Sequence, residues 1–522
     1  MTPPAWTVPQ LNDLLINDAL HSVARLPVSA ESWQRLCRVA ASAASPTLAS
    51  LVADIEALEL PDRHANWLRF SALSYLTGNA DYFVKQAVLA GTSFPADVVM
   101  TFLGLVWHHA LTKRPVHQDF IRLLQDVSAV QLQRNVASAW PALKKAARSR
   151  SNRLRIAIYT PQIISPHHGG TLFTLNMMSV VAKLGMECEA FAAQEVVVAL
   201  ESTYRGCPEH LTSPVTIVES LVLNTDAQIR LLTANVDYSL DARYLEIRQA
   251  IDSYSPDVVL FIGLFSPLLH DLYTRYPVVG LNVHALPPLA PVDIWLSADE
   301  TADTKVWSNL PVPRLQHFPF RFWPPRQEMA VPVNRQQWQA GDTAVVMVTV
   351  GYRLHHEMPE NWLHELQAFL MKHTEVHWLL IGLAPALWPP GLLIHDRIHL
   401  VPPQTELDRY LAASDIYLNP PRAGGGGSVA MAMALGLPVL TMSGSDAADK
   451  VRSMAATSLE DYFERLAVWV NNASVRRQAG EQLKREFGAR LDVSSDSAQN
   501  GFLQACEAAL SSFSLRQART ND

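Results

Sequence analysis

The sequence predicts an α/β protein with two Rossmann-like domains facing a cleft, preceded by an all-α N-terminal domain. Three observations carry this. Strand-like apolar runs alternate with amphipathic helical runs in two separate series, one over 154–300 and one over 343–444. Residues 1–140 keep three- and four-residue apolar spacing with no strand alternation. Four consecutive glycines stand between a strand run and a helix run late in the second series.

The elements follow in order. Apolar residues recur at helical spacing over 33–58, 67–76 and 98–111, and 1–145 is expected to form the helical domain. The basic stretch KKAARSRSNRLR (144–155) reads as a solvated linker entering a strand, with a phosphate-binding patch as the alternative. A first α/β domain is expected over 146–335. LRIAIY (154–159), ECEAFA (187–192), PDVVLFIG (256–263), VVGLNV (278–283) and VDIWLSAD (292–299) read as its strands. LFTLNMMSVVAKLG (172–185) and RYLEIRQAIDSY (243–254) read as its helices. The proline-rich segments 311–326 and 331–335 are expected to break the pattern.

A second α/β domain is expected over 336–490. TAVVMVTVG, VHWLLIGL, RIHLV, DIYLNP and LPVLTM are its strands; ENWLHELQAFLMKH, TELDRYLAAS and SVAMAMALG are its helices. The chain reads as helical from Ser458 to about residue 513, and 491–522 is expected to be a terminal helix and tail.

Composition narrows the function. The 522 residues are 49% hydrophobic and 17% charged, which excludes disorder as the main state. The net charge of −7 argues against a nucleic-acid binder held by bulk positive charge. Four scattered cysteines form no C-x-x-C pair, which fits reduced thiols in a cytoplasmic protein. No apolar run approaches the roughly 18 residues of a membrane span.

The most informative segment is NPPRAGGGGSVAMAMALG (419–436). Gly424, Gly425, Gly426 and Gly427 let a ligand approach main-chain N–H groups, and the helix that follows offers its unpaired amides and positive dipole end. Together they suit a diphosphate, with the Ser428 hydroxyl as a further donor; a plain linker is the alternative. The spacing is neither a P-loop nor a dinucleotide fingerprint. At the end of the second domain's first strand, Arg353, His355 and His356 are candidates to neutralise a departing diphosphate, or incidental charges on an exposed strand-to-helix loop. After the first strand of all, His167 and His168 precede a glycine pair and a helix. Either is a candidate general base, or a bystander in a capping loop. His284 ends another strand and reads better as a loop histidine. The histidines show no ligand spacing, so neither a metal nor a resident cofactor is expected.

These segments resemble, in order, those of a GT-B glycosyltransferase, and within that fold the O-GlcNAc transferases and bacterial adhesin N-glucosyltransferases. GLPVLTMSGSDAADKV (436–451) is similar to the family's G-x-P-x-V-T-x-x-G stretch. VDIWLSADE (292–300), RIHLVPP followed by LAASDIYLN, and LRIAIYTPQIISPHHGG fall where the family has comparable segments. The resemblance spans about 154–455 and implies transfer of a sugar, with inversion, from a nucleotide diphosphate donor, usually a uridine one. The acceptor would be a protein or a glycan. It implies that Gly426, Gly427 and Ser428 hold phosphate and that 401–404, including Pro403 and Gln404, frame the base. His167 or His168 then stands near the active-site histidine, and His356 where the family has a lysine. The ribose-binding acid of the family falls on Met431. A non-catalytic GT-B scaffold and a lipid- or polysaccharide-directed transferase are the other readings.

Overall fold

The computed structural model describes nearly all of 153–163, 169–195, 217–222, 228–235, 240–281, 290–298, 311–325, 331–351, 354–383 and 396–521, with isolated positions between 49 and 85 and at 140 and 238. The expected N-terminal helical domain therefore lies mostly outside the described residues. The isolated positions there that have regular structure are helical.

The chain divides into two compact units. One comprises residues 1–317 and 503–522, the other 318–502. Each holds a Rossmann-like α/β layer, as the alternating strand and helix runs predict.

The first unit contains β1 (Arg155–Thr160), α1 (Gly169–Lys183), β2 (Glu187–Ala192), β3 (Ile217–Val222), β4 (Gln228–Thr233) and α2 (Leu240–Tyr254). It continues with β5 (Val258–Ile262), α3 (Pro267–Arg275), β6 (Val278–Leu281), β7 (Ile294–Ser297) and β8 (Arg314–His317). Its eight strands run in the order β3-β4-β2-β1-β5-β6-β7-β8. All neighbours are parallel except β3 and β4, which pair antiparallel at one edge. β5 is buried along its whole length, because helices cover both faces of such a sheet and leave no polar side for alternation. Within the proline-rich stretch expected to interrupt the pattern, RLQH forms β8, which closes the other edge of the sheet. Its two end residues are exposed and its middle pair is half-buried, so it carries no apolar run to read.

The second unit contains β9 (Val345–Val350), α4 (Leu354–Glu357), α5 (Glu360–Lys372), β10 (Val376–Ile381), β11 (Ile398–Val401), α6 (Leu407–Ala412), β12 (Ile416–Leu418), α7 (Gly426–Leu435) and β13 (Val439–Leu440). α8 (Asp446–Val451), α9 (Leu459–Asn471) and α10 (Ala473–Arg490) follow. The five strands are all parallel, in the order β11-β10-β9-β12-β13. Alternate residues feed two cores. Val346, Val348, Leu379 and Ile381 join Val429 and Met433 of α7 and Leu483 of α10. Met347, Trp378 and Leu380 join Trp362 of α5 and Tyr462 and Leu466 of α9. Trp362 sits edge-on to both Trp378 and Tyr462, which fixes α5 and α9 over one face.

The last helix, α11 (Asp496–Asn521), begins in the second unit and ends in the first. Within the first unit its Arg516 lies 3.6 Å over the Tyr273 ring and pairs with Asp293 at 3.0 Å. The Asp293 side chain is fully buried and also accepts from Val278 N and Ser512 Oγ.

Candidate functional site

In the second sheet the strand order reverses between β9 and β12. The loops after these two neighbours lead away in opposite directions, and such a switch point leaves a crevice at the carboxyl ends of the strands. Two of the segments singled out in the sequence leave the sheet there. The chain after β9 passes Gly351 and enters α4; the chain after β12 runs from Asn419 through the glycines into α7.

The glycine turn has a defined shape. Gly425 is the N-cap of α7 with φ +97°, and its carbonyl accepts from Val429 N at 3.0 Å to open the helix. A side chain at 425 would collide with Asn419 Oδ1 and would lie 2.7 Å from Arg422 Nη2. Gly427, two residues on, is exposed, and a Cβ there would meet nothing within 4 Å. The first-turn amides of Gly426, Gly427 and Ser428 have no acceptor within the helix by its geometry, and they face the positive end of its dipole. Ser428 turns its hydroxyl inward. It donates to Gly425 O at 3.1 Å and stands 2.7 Å from the Tyr417 hydroxyl.

The residue that organises the turn is Arg422. Its side chain is only 3% exposed. Nε donates to Asn419 Oδ1 at 2.8 Å, Nη2 to Val350 O at 2.7 Å, and Nη1 meets Glu357 Oε2 at 3.1 Å. One planar cation therefore ties the end of β9, helix α4 and the exit of β12 to one another, using the fork geometry that distinguishes arginine from lysine. A Cβ at Gly351 would lie 2.5 Å from Nη1, so the guanidinium also requires glycine at the end of β9. The network runs on along the sheet edge: Asn419 Nδ2 donates to Thr441 Oγ1 at 3.1 Å, which stands 3.0 Å from Ser445 Oγ. Ser445 in turn caps α8 by accepting from Ala448 N. Beneath the turn, burial raises the Tyr417 phenol, and the nearby Arg422 cation opposes that rise.

No protein-family model matches the chain, and no curated protein matches it in sequence. Solved structures are similar to it in fold. A mutant O-GlcNAc transferase of Thermobaculum terrenum is similar over 99% of this chain and 100% of its own, at 16% identity and a TM-score of 0.46. A UDP-forming α,α-trehalose-phosphate synthase from Burkholderia vietnamiensis is similar over 69% of this chain and 99% of its own, at 12% identity and a TM-score of 0.47. A glycosyltransferase from Rickettsia africae covers the same shares at 11% identity and a TM-score of 0.46.

The other candidates fall as follows. Arg353 lies outside the described residues; His355 and His356 belong to α4, with their side chains outside them. Gly424 precedes the turn, half-buried, while Gly426 is buried as the first residue of α7. Pro403 and Gln404 follow β11, two strands from β9, where Gln404 Nε2 donates to Pro402 O at 2.8 Å. Met431 lies in α7 and packs against the core formed with Val429 and Met433. His167, His168 and His284 lie outside the described residues. Among the described residues no group of three or more His, Cys, Asp or Glu side chains is placed to hold a metal ion, and no helix is long and apolar enough to cross a membrane.

Arg422 escaped the sequence reading. An arginine after two prolines is unremarkable on its own, and its main anion, Glu357, lies 65 positions earlier. The one available signal was its place between a buried strand and a glycine run, where a cation must be either solvated or fully partnered.

Proposed function

We propose that the chain is a glycosyltransferase that moves a sugar from a nucleotide diphosphate donor, with uridine as the favoured base, to a protein side chain or a glycan. The observation that supports it most is the glycine turn opening α7 at the switch point of the second sheet, held from below by Arg422. A diphosphate seated there receives main-chain N–H groups and the helix dipole, which are worth most where negative charge builds up. The acceptor oxygen or nitrogen attacks the anomeric carbon. The bond from that carbon to the phosphate oxygen breaks, its electron pair stays on the diphosphate, and the acceptor's proton passes to a base. In this reading the amides of Gly426, Gly427 and Ser428 hold the leaving group, Arg353 and His356 add charge, and His167 or His168 takes the proton. Pro403 and Gln404 lie beside the base. No metal is required, since main-chain donors and cations supply the countercharge. We also read it as a cytoplasmic enzyme, on its scattered cysteines.

A second reading, a non-catalytic scaffold of the same fold, draws on one observation. Met431, where the resemblance expects an acid for the ribose hydroxyls, has a thioether already packed against apolar neighbours.

Calorimetry with uridine, guanosine, thymidine and adenosine diphosphates tests the proposal. The expected result is micromolar binding of one of them, the uridine nucleotide, to wild type, and at least about tenfold weaker binding to Arg422→Ala through loss of the turn. No binding of any nucleotide to folded protein would reject the transferase and favour the scaffold.

A further inference from the structure

The first sheet has its own switch point, between β1 and β5. Three segments leave its carboxyl edge side by side: 161–163 after β1, 193–195 after β2, and 263–266 after β5. Their ties to one another go beyond sheet pairing. Glu195 N donates to Pro161 O at 2.7 Å. The Gln194 side-chain amide accepts from Ile163 N at 2.8 Å and donates to Ile163 O at 2.9 Å, as a neighbouring strand would. To do so Gln194 takes φ +53°, a left-handed conformation that a residue with a Cβ seldom adopts.

The Glu195 carboxyl group is buried among hydroxyls. It accepts from Tyr159, from Ser266 Oγ at 2.8 Å and from the Tyr244 hydroxyl at 2.9 Å. Ser266 is the N-cap residue of α3, yet its side chain makes no cap bond and turns to Glu195 instead. From α2, Arg243 donates to the carbonyls of Tyr238 and Gln194. A strained backbone, a forgone helix cap and a buried acid thus coincide at one crevice. Apolar packing would hold these segments together without any of the three, and such local violations gather where geometry serves a ligand.

We infer that Gln194 and Glu195 are positioning residues of the transfer reaction, holding the main chain of 161–163 and the β5–α3 turn in a preset arrangement that receives the acceptor. This role rests on the transferase reading, because that reading gives the acceptor's proton to His167 or His168, a few residues beyond 163 in the sequence.

Amide hydrogen exchange, read by mass spectrometry on the full chain, separates the two questions. Gln194→Gly removes the amide clamp while suiting the positive φ, so the variant should fold. Glu195→Gln keeps the side chain's shape. In parallel, UDP affinity is measured by calorimetry, and UDP release from UDP-glucose and UDP-N-acetylglucosamine is followed with water as acceptor. For Gln194→Gly we expect faster exchange in peptides covering 161–163, unchanged UDP affinity and donor KM, and kcat lowered on the order of tenfold or more. Glu195→Gln should show the same split, with faster exchange also around Ser266. Unchanged exchange in both variants would show that no clamp exists. Faster exchange with kcat unaltered would reduce it to a structural tie and overturn the inference. UDP affinity falling in step with kcat would overturn it too, since the effect would not be local to this edge. Wild-type protein that neither binds UDP nor releases it would reject the transferase reading itself, whatever the exchange data show, and the positioning role with it.

Discussion

Two glycines of one turn make opposite predictions. Gly425 has φ +97° and no room for a methyl group, so Gly425→Ala should lose about 2 kcal/mol or more in urea unfolding, along with nucleotide binding. Gly427 sits in the first turn of the same helix with open space around its Cβ position, and Gly427→Ala should gain roughly 0.5–1 kcal/mol. If Gly427→Ala is more stable and yet binds UDP less well, the phosphate approaches the main chain at 427. Equal binding would count against the turn as the phosphate site. The glycine run's place between a strand and a helix was legible, because a buried apolar run precedes it and an Ala/Met-rich helical run follows. The division of labour within it was not, since it depends on where Asn419 and Arg422 point. The inward turn of the Ser428 hydroxyl was hidden for the same reason, because Tyr417 lies eleven positions earlier.

Among the elements, β11 forms one edge of the second sheet and carries a histidine pair with its neighbour β10. His377 Nδ1 and His399 Nε2 stand 3.1 Å apart with nearly parallel rings. Burial, then the neighbouring His377, lowers the His399 pKa to about 4. The unfolded chain, with an ordinary histidine, binds the extra proton first, so this pair should lose stability as pH falls from about 6.5 to 4. Glu195 acts in the other sense. Burial outweighs its hydroxyl donors and pushes it up to about 7 from 4.5, so its contribution is complete at low pH and fades as pH rises through 7. Chemical denaturation across pH 4–8 should show that, relative to wild type, His399→Gln loses less stability as pH falls from about 6.5 to 4, and Glu195→Gln loses less as pH rises from 4.5 to about 7. A wild-type profile that neither variant alters would refute both assignments.

The strands that sequence reading found are those buried on both faces, such as VVLFI and VVMVTV, where apolar runs are continuous. It missed β3, β4 and β8, which lie toward the edges of the first sheet. β4 alternates exposed and buried residues around Arg230, and β8 is four residues among prolines, exposed at both ends, so neither offers an apolar run of the length that identifies a strand.

Over the whole molecule, the alternating series that begins near residue 150 and the second one after 340 were legible as long-range periodicity. The unit boundaries were less so. The chain leaves the first unit after His317 and returns to it from Leu503, partway along α11, and an uninterrupted helix carries no composition change to mark such a crossing. Arg516 is the anchor of that return. Arg516→Ala leaves the fully buried Asp293 carboxylate without its cation and should destabilise the first unit by about 2–4 kcal/mol. Stepwise denaturation should show the second unit's transition unmoved. A shift of both transitions together would mean that the units unfold as one.

That return has a consequence for how the protein is made. Domains usually fold as they emerge, the N-terminal one first. Here Arg516, which neutralises Asp293, is synthesised only after the whole of 318–502. Until then Asp293, next to β7, lacks its cation, and the first sheet forms without the stability that Arg516 adds. A nascent chain arrested before Arg516 emerges should therefore carry a first sheet that proteases open more readily than in the finished protein.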